Sequence, residues 1–334
     1  MKAMMINKYG KNELLHMKEI EKPSVGANDV LVEIHAASVN PIDFKIRNGG
    51  ALRLVLKFNM PLILGNDFAG KIVEIGSNVR KFKVGDYVYG RPSKERIGTF
   101  AEYISIHQDE IALMPNGLTF EEAASIPLVG LTVWQAFHEY FHLKEGQKIL
   151  IHAGAGGVGS FAIQLAKEMG AYVATTASEN GYELVQTLGA DKVINYRKEN
   201  FEEVLDGYDA VFDTLGGPSL EKSFEILKPG GKIVSISAVP TKKFAEQTYQ
   251  GLMKKTLFML ISNKLMRMAK KHQVEYDFLL MRPNGEQLEQ ITHLIEEGKI
   301  KPVIDRIYDL EEAQGAMNYL ETGRAKGKVI IKVK

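Results

Sequence analysis

The chain of 334 residues contains no cysteine. That removes disulfides, a thiolate nucleophile and any cysteine-ligated metal from consideration. Net charge is almost absent too. Lys and Arg number 42 against 41 Asp and Glu, a formal +1, so no global field points to nucleic acid or an acidic partner. No apolar run reaches the roughly 18 residues that a membrane span needs. The stretch 1–7 lacks the charged-then-apolar layout of a signal peptide and reads as a first strand, which leaves the cytoplasm as the default location. No internal repeat or low-complexity tract is visible. The length suffices for about two domains with substantial cores.

The most informative stretch is 148–159, Lys-Ile-Leu-Ile-His-Ala-Gly-Ala-Gly-Gly-Val-Gly. A short apolar run ends in a glycine cluster, and helix formers follow to Met169. Gly154, Gly156 and Gly159 fit G-x-G-x-x-G, with Gly157 extra. The first glycine allows a sharp turn, the second lets backbone approach a pyrophosphate, and the third lets helix pack on strand. The helix N-terminus then offers free N–H groups to phosphate.

Residues 1–123 read as mainly β, with short strands at 30–36, 70–76, 85–90 and 99–106 separated by turn signals. Thr119, followed by Glu121 and Glu122, caps a helix. From about Ile126, helices and strands alternate, which predicts βαβ units and a parallel sheet. The reading places strands at 148–153, 172–176, 193–194, 210–213, 232–237 and 276–281, with helices at 157–169, 182–188 and 219–227. Helices at 287–297 and 308–322 and a strand at 328–333 complete the chain. Residues 247–274 hold six Lys and Arg and no acid. Met253, Leu257, Leu260, Ile261, Leu265 and Met268 recur there at helical spacing, so 250–271 reads as a basic amphipathic helix. Its apolar stripe suits packing on the body; peripheral contact with an anionic membrane is the alternative.

Several segments together resemble the medium-chain dehydrogenase/reductase superfamily, in its zinc-free quinone and enone oxidoreductase branch. They are Ala37-Ser38-Val39-Asn40-Pro41-Ile42-Asp43, Leu64-Gly65-Asn66-Asp67-Phe68-Ala69-Gly70, Lys83-Val84-Gly85-Asp86, Gly98-Thr99-Phe100-Ala101-Glu102-Tyr103, Ala153 to Gly159, Asp213-Thr214-Leu215-Gly216-Gly217 and Gly323-Arg324-Ala325-Lys326-Gly327-Lys328. The resemblance implies an α/β fold: a doubly wound Rossmann sheet inserted into a GroES-like, mainly β catalytic domain. Residues 1–123 and 284–334 would form the catalytic domain and 124–283 the Rossmann domain. The nicotinamide and substrate would bind in the cleft between them, and a homodimer is expected, through the strand at 276–281.

The positions that carry catalytic zinc in zinc-dependent relatives fall on Asn40, Asn66 and Val129. Two carboxamides and a valine make no tetrahedral N/S site, so no metal is expected. His138 and His142 have i, i+4 spacing, but two ligands are not a site. The ribose-binding position after the second Rossmann strand is Ser178, a hydroxyl that accepts a 2′-phosphate, so NADP(H) is the expected cofactor. Tyr196 matches the family tyrosine near that phosphate, with Arg197 beside it. No basic residue follows Ser178; Glu179, Asn180 and Gly181 stand there and weaken the preference. By the same resemblance Ala153, Gly154, Gly156, Gly157, Val158, Gly159, Gly216 and Ser237 line the dinucleotide. A hydride acceptor develops charge on a carbonyl oxygen, which needs hydrogen-bond donors where no metal serves. Asn40 is the expected donor, Lys45 a proton donor or orienting group, and Asp43 its partner or a ribose contact. A loop cap for Asp43 and a solvated Lys45 are the structural alternatives. Tyr89 and Arg91 are placed at the pocket edge. The expected activity is NADPH-dependent reduction of quinones or α,β-unsaturated carbonyls. An enoyl-thioester reductase and a non-catalytic NADPH-binding protein are the alternatives.

Overall fold

The longest strand, Asp29–Val39, is a near-continuous apolar run with only Glu33 and His35 half-exposed. Such a run must be covered on both sides, and its neighbours provide that cover. In the computed structural model, which describes residues 1–248 and 251–334, it pairs antiparallel with Phe68–Ile75, Tyr103–His107 and Lys328–Lys332. Tyr87–Gly90 and Ile111–Leu113 extend one side, and Ile304–Asp309 lies parallel to Lys328–Lys332 on the other. A three-stranded sheet of His16–Glu19, Lys2–Ile6 and Leu62–Ile63 accompanies this seven-stranded one. Val30, Val32, Ile34, Phe68, Ile72 and Ile106 form part of one core cluster.

The chain divides into two compact units, Met1–Leu131 with Arg282–Lys334, and Thr132–Met281. The first boundary lies eight residues beyond the expected 123, inside the helix Pro127–Gln135. A helix has no punctuation of its own, so sequence could not place a boundary within it.

In the second unit, strands Lys192–Asn195, Tyr172–Ala177, Lys148–Ile151, Tyr208–Asp213, Leu227–Ser235 and Glu275–Phe278 lie side by side in that order, all parallel. The chain builds outward in one direction and then returns to build in the other. The reversal falls between Lys148–Ile151 and Tyr208–Asp213, the switch point where doubly wound sheets bind ligands. Leu150, Ala174, Ile194, Val211, Phe224 and Ile233 share the core cluster of this unit.

Several expected elements change. The segment 308–322 is not one helix: strand Ile304–Asp309 precedes a short 3-10 turn and helix Ala313–Glu321. Pairing with Lys328–Lys332 overrides the local helical pattern. The helix expected over 219–227 is Gly217–Ser223, and Leu227 already begins the next strand. In the basic helix, Leu252–His272, the buried side chains are Phe258, Ser262, Leu265 and Ala269. Of the predicted stripe only Leu265 is among them; Met253 is 88% and Leu260 64% exposed. Small Ser262 and Ala269 alternate with Phe258 and Leu265 on the inward face and let the helix approach closely, with Met268 partly buried beside them. Gln250, the first residue of the expected helix, lies outside the described residues.

Candidate dinucleotide site and polar centre

Strand Lys148–Ile151 runs into the glycine turn, and helix Gly157–Glu168 leaves it with Gly156 as N-cap and no side chain capping its first turn. Two glycines are required by packing. A Cβ on Gly154 would sit 2.1 Å from Thr175 Oγ1, and one on Gly159 2.3 Å from the carbonyl oxygen of Ala153. Gly156 differs: its Cβ would meet only Ala153 O, at 3.3 Å. Its openness suits backbone approach by a ligand, and the uncapped N–H groups of Gly157, Val158 and Gly159 suit an anion. Ala153 adopts φ +53°, an uncommon conformation for a residue with a Cβ, costing on the order of 1–3 kcal/mol. It is held there by Thr176, whose Oγ1 accepts from Ala153 N at 3.0 Å, while Gly154 N donates to Thr176 O at 3.0 Å. These residues fit a dinucleotide pyrophosphate.

The other predicted cofactor residues fall at the carboxyl ends of the same parallel strands. Ser178 directly follows Tyr172–Ala177, and Tyr196 follows Lys192–Asn195, with Tyr196 N bonded to Ala177 O at 3.4 Å. Gly216 sits in a turn shaped by buried Asp213, whose carboxylate accepts from Gly216 N at 2.9 Å and Ser235 Oγ at 2.5 Å. Gly216 has φ +71°, and a Cβ there would lie 2.8 Å from Ser237 O. Ser237 Oγ donates to Thr214 O at 2.8 Å, joining the two loops. Sequence singled out neither Thr176 nor Lys198. Lys198 Nζ lies 3.1 Å from Glu179 Oε2, giving the unwelcome acid a cationic partner.

In the first unit, Asn40 caps helix Pro41–Asn48. Asp43 Oδ2 accepts from Asn40 N at 2.7 Å and Asp43 Oδ1 from Asn66 Nδ2 at 2.6 Å. Asn40 is itself buried and fully engaged. Its Nδ2 donates to Ser38 O at 3.1 Å and Asp67 Oδ1 at 3.0 Å, and its Oδ1 accepts from Lys328 Nζ. The amide expected to face a substrate oxygen therefore has both hydrogens committed to protein acceptors. Lys328 and Asp67 are 5% and 0% exposed and lie 3.6 Å apart. The register that sets Val329 opposite Val39 brings this lysine beside Asn40. Burial pushes the Lys328 ammonium below the usual lysine range, with Asp67 and Asp43 acting against that. Burial raises Asp43 to about 7, although Asn66 and the Asn40 N–H favour its charged form.

Lys45 takes no part in this network. Its side chain is solvent-accessible and makes no hydrogen bond among the described residues, and partial desolvation lowers its pKa. Tyr89 is not at a pocket edge: it is fully buried, with its hydroxyl 2.8 Å from Leu288 O and 2.9 Å from Thr292 Oγ1. Arg91 is buried, donates through Nη1 to Pro92 O at 2.6 Å, and leaves Nε without a partner among the described residues. Val129 is a buried apolar residue, and the Asn40 and Asn66 amides are already bonded to protein. His138 packs its ring against Trp134, tilted by 42° with the ring centres 4.1 Å apart, and His142 ends the helical segment at φ +50°. No cluster of three or more metal-binding side chains occurs among the described residues, nor is any described helix long and apolar enough to cross a membrane.

Two family models match: zinc-binding dehydrogenase over residues 188–331, and the alcohol dehydrogenase GroES-like domain over residues 26–116. Mitochondrial NAD(P)H oxidoreductase RTN4IP1 of Danio rerio is 33% identical, over 100% of this chain and 91% of its own length. The 2-methylene-furan-3-one reductase of Solanum lycopersicum is 35% identical over 99% and 79% respectively. Among solved structures, the quinone oxidoreductase of Coxiella burnetii matches with a TM-score of 0.86 and 37% identity, covering 100% of this chain and 99% of that one. Escherichia coli quinone oxidoreductase complexed with NADPH matches with a TM-score of 0.84 and 27% identity, covering 100% of each.

Proposed function

We propose an acceptor class for a chain that belongs to the zinc-free quinone and enone oxidoreductase branch of the medium-chain dehydrogenase/reductase superfamily: quinones and α,β-unsaturated carbonyls, reduced at the expense of NADPH. The chain is an NAD(P)H-dependent oxidoreductase, and its second unit carries the dinucleotide turn. What most supports the acceptor class is near full-length likeness to a quinone oxidoreductase and to a furanone reductase, each at 35% identity or above.

When bound, the reduced nicotinamide supplies the hydride. The residues of the chain must then handle the negative charge left on the acceptor oxygen and deliver a proton. Of the three ionisable side chains on helix Pro41–Asn48, Asp43 is bonded to Asn66 and Arg47 to Glu321 at 2.8 Å. Lys45 is the one left to act, and its lowered pKa makes it a stronger acid than an ordinary lysine. We assign Lys45 as proton donor and oxyanion partner. Asn40 and Asp43 become positioning residues that hold the start of its helix. This reading needs no metal, since the amides at positions 40 and 66 are consumed by protein partners. A cytoplasmic homodimer assembled through Glu275–Phe278, the end strand of its sheet, completes the proposal.

The test is NADPH oxidation against a panel of benzoquinones, naphthoquinones, short enones and enoyl-CoA. Oxidation with quinones or enones supports the reading. Turnover confined to enoyl-CoA replaces it with an enoyl-thioester reductase, and NADPH binding without turnover on any acceptor replaces it with a binding protein. Lys45→Met is expected to lower enone turnover at least tenfold while the NADPH dissociation constant stays within twofold, on the order of a general-acid contribution.

A further inference from the structure

The second Rossmann strand is followed by Ser178-Glu179-Asn180-Gly181, a sequence with an acid where a 2′-phosphate calls for a cation. Strand pairing changes that picture. Ala177 stands opposite Asn195 in the parallel ladder, so the two strands end together. Beyond Asn195 the chain turns back on itself: Lys198 N and Glu199 N both donate to Asn195 O, at 2.8 and 2.9 Å, and Arg197 N donates to Asn195 Oδ1 at 3.1 Å. That turn carries the Lys198 ammonium to 3.1 Å from the Glu179 carboxylate. Both groups are well exposed, and Tyr196 is exposed beside them. The Ser178–Gly181 turn also abuts the pyrophosphate turn: a Cβ on Gly181 would lie 2.7 Å from Cβ of Ala155. The cation and the phosphate-binding backbone therefore belong to one continuous surface. Arg197 is placed differently, with its guanidinium 5.8 Å from the Tyr196 ring centre.

We propose that Lys198, reaching across from the neighbouring strand end, is the cation that selects the 2′-phosphorylated dinucleotide, and that Glu179 is the acid that limits this selection. The inference rests on the dinucleotide being held at the glycine turn. It differs from a simple reading of Ser178 because the deciding charge comes from the following strand. Glu179 holds the ammonium beside the end of the second Rossmann strand, where the ribose position falls. A 2′-phosphate, with up to two negative charges, outcompetes one carboxylate for it. The residual acid makes the preference for NADPH over NADH moderate.

Isothermal titration of the full chain with NADPH, NADH, 2′,5′-ADP and 5′-AMP tests this without any turnover. Lys198→Gln is expected to weaken NADPH and 2′,5′-ADP about tenfold, the scale of one charge-assisted hydrogen bond, with NADH and 5′-AMP changed less than twofold. Glu179→Gln is expected to tighten NADPH and 2′,5′-ADP several-fold and leave NADH unchanged. Equal losses for phosphorylated and unphosphorylated ligands in Lys198→Gln overturn the proposal, as does a selective loss confined to Arg197→Gln. If the unmodified chain binds none of the four ligands, the dinucleotide reading itself fails. Binding of NADPH with an unaltered ratio to NADH in both variants sinks only the assignment of Lys198 and Glu179.

Discussion

Lys328 is the residue whose removal tests the polar centre most sharply. Its ammonium and the Asp67 carboxylate are almost wholly excluded from solvent and lie 3.6 Å apart, and the ammonium also donates to Asn40 Oδ1. Lys328→Met keeps the length of the side chain and deletes the charge. The carboxylate left behind retains three donors: Ser38 Oγ at 2.5 Å, Asn40 Nδ2 at 3.0 Å and Leu128 N at 3.3 Å. It loses its countercharge, and Asn40 Oδ1 loses the Lys328 ammonium as donor. Breaking one partner of a buried pair costs about 3–5 kcal/mol. The three surviving hydrogen bonds place this case at the low end, about 3 kcal/mol. Replacing both charges, in Lys328→Met with Asp67→Asn, leaves no buried ion and recovers a large part of that loss.

Hydrogen exchange at the amides of Asp29–Val39 and Lys328–Lys332 reads the stability of this unit alone. A loss of about 3 kcal/mol accelerates exchange through its opening on the order of a hundredfold. The single variant should show that acceleration and the double variant a smaller one. A single variant within about 1 kcal/mol of the parent would refute the reasoning, because it would mean that the buried carboxylate does not depend on the ammonium. A double variant worse than the single would refute it as well, since the two residues would then act independently.

Asp43 supplies a pH-dependent prediction. Burial raises it from 3.8 to about 7, so across that range the native state binds more protons than the unfolded chain. Stability is then greatest below about pH 4 and falls as pH rises through about 7, by at most about 4 kcal/mol from this group. Asp43→Asn should flatten that part of a urea-midpoint profile, and an unchanged slope would remove Asp43 as its source. The glycine turn makes a paired prediction. Gly159→Ala drives a Cβ to 2.3 Å from Ala153 O and should disrupt both folding and dinucleotide binding. Gly156→Ala brings a Cβ to 3.3 Å from Ala153 O, a tight contact that a small backbone shift relieves, and should fold with a much smaller loss while binding NADPH more weakly, read by thermal melting alongside titration; equal melting losses in the two variants would contradict the division of roles.

The dinucleotide turn was legible because its requirements are local. Gly154, Gly156 and Gly159 are spaced by the geometry of one strand, one turn and one helix, and the alternation of elements around them predicts a parallel sheet. Where long-range pairing decides, the sequence was a poor guide. Ile304–Asp309 becomes a strand only because Lys328–Lys332 lies beside it. In Leu252–His272 the inward face passes through Ser262 and Ala269, residues that a search for large apolar side chains overlooks. Lys198 became a candidate only once Ala177 and Asn195 were known to end in register. Lys328 is 288 residues from Asn40, and nothing in either segment marks them as partners.

That distant pairing changes what Asn40 can do. From sequence it is an amide near a reaction site and hence a candidate oxyanion donor. In the folded chain its hydrogens go to Ser38 and Asp67 and its oxygen to Lys328. To serve an acceptor oxygen, it would have to leave a buried carboxylate and a buried ammonium both less satisfied, at a cost of about 1–3 kcal/mol for each orphaned group. A new hydrogen bond to the acceptor would have to offset that before it lowered any barrier. Lys45 carries no such debt: its ammonium has no protein partner among the described residues, and desolvation already disfavours its charged form. Placing the proton on Lys45 and the rigidity on Asn40, Asp43, Asp67 and Lys328 is therefore the division of labour with the smaller energetic cost.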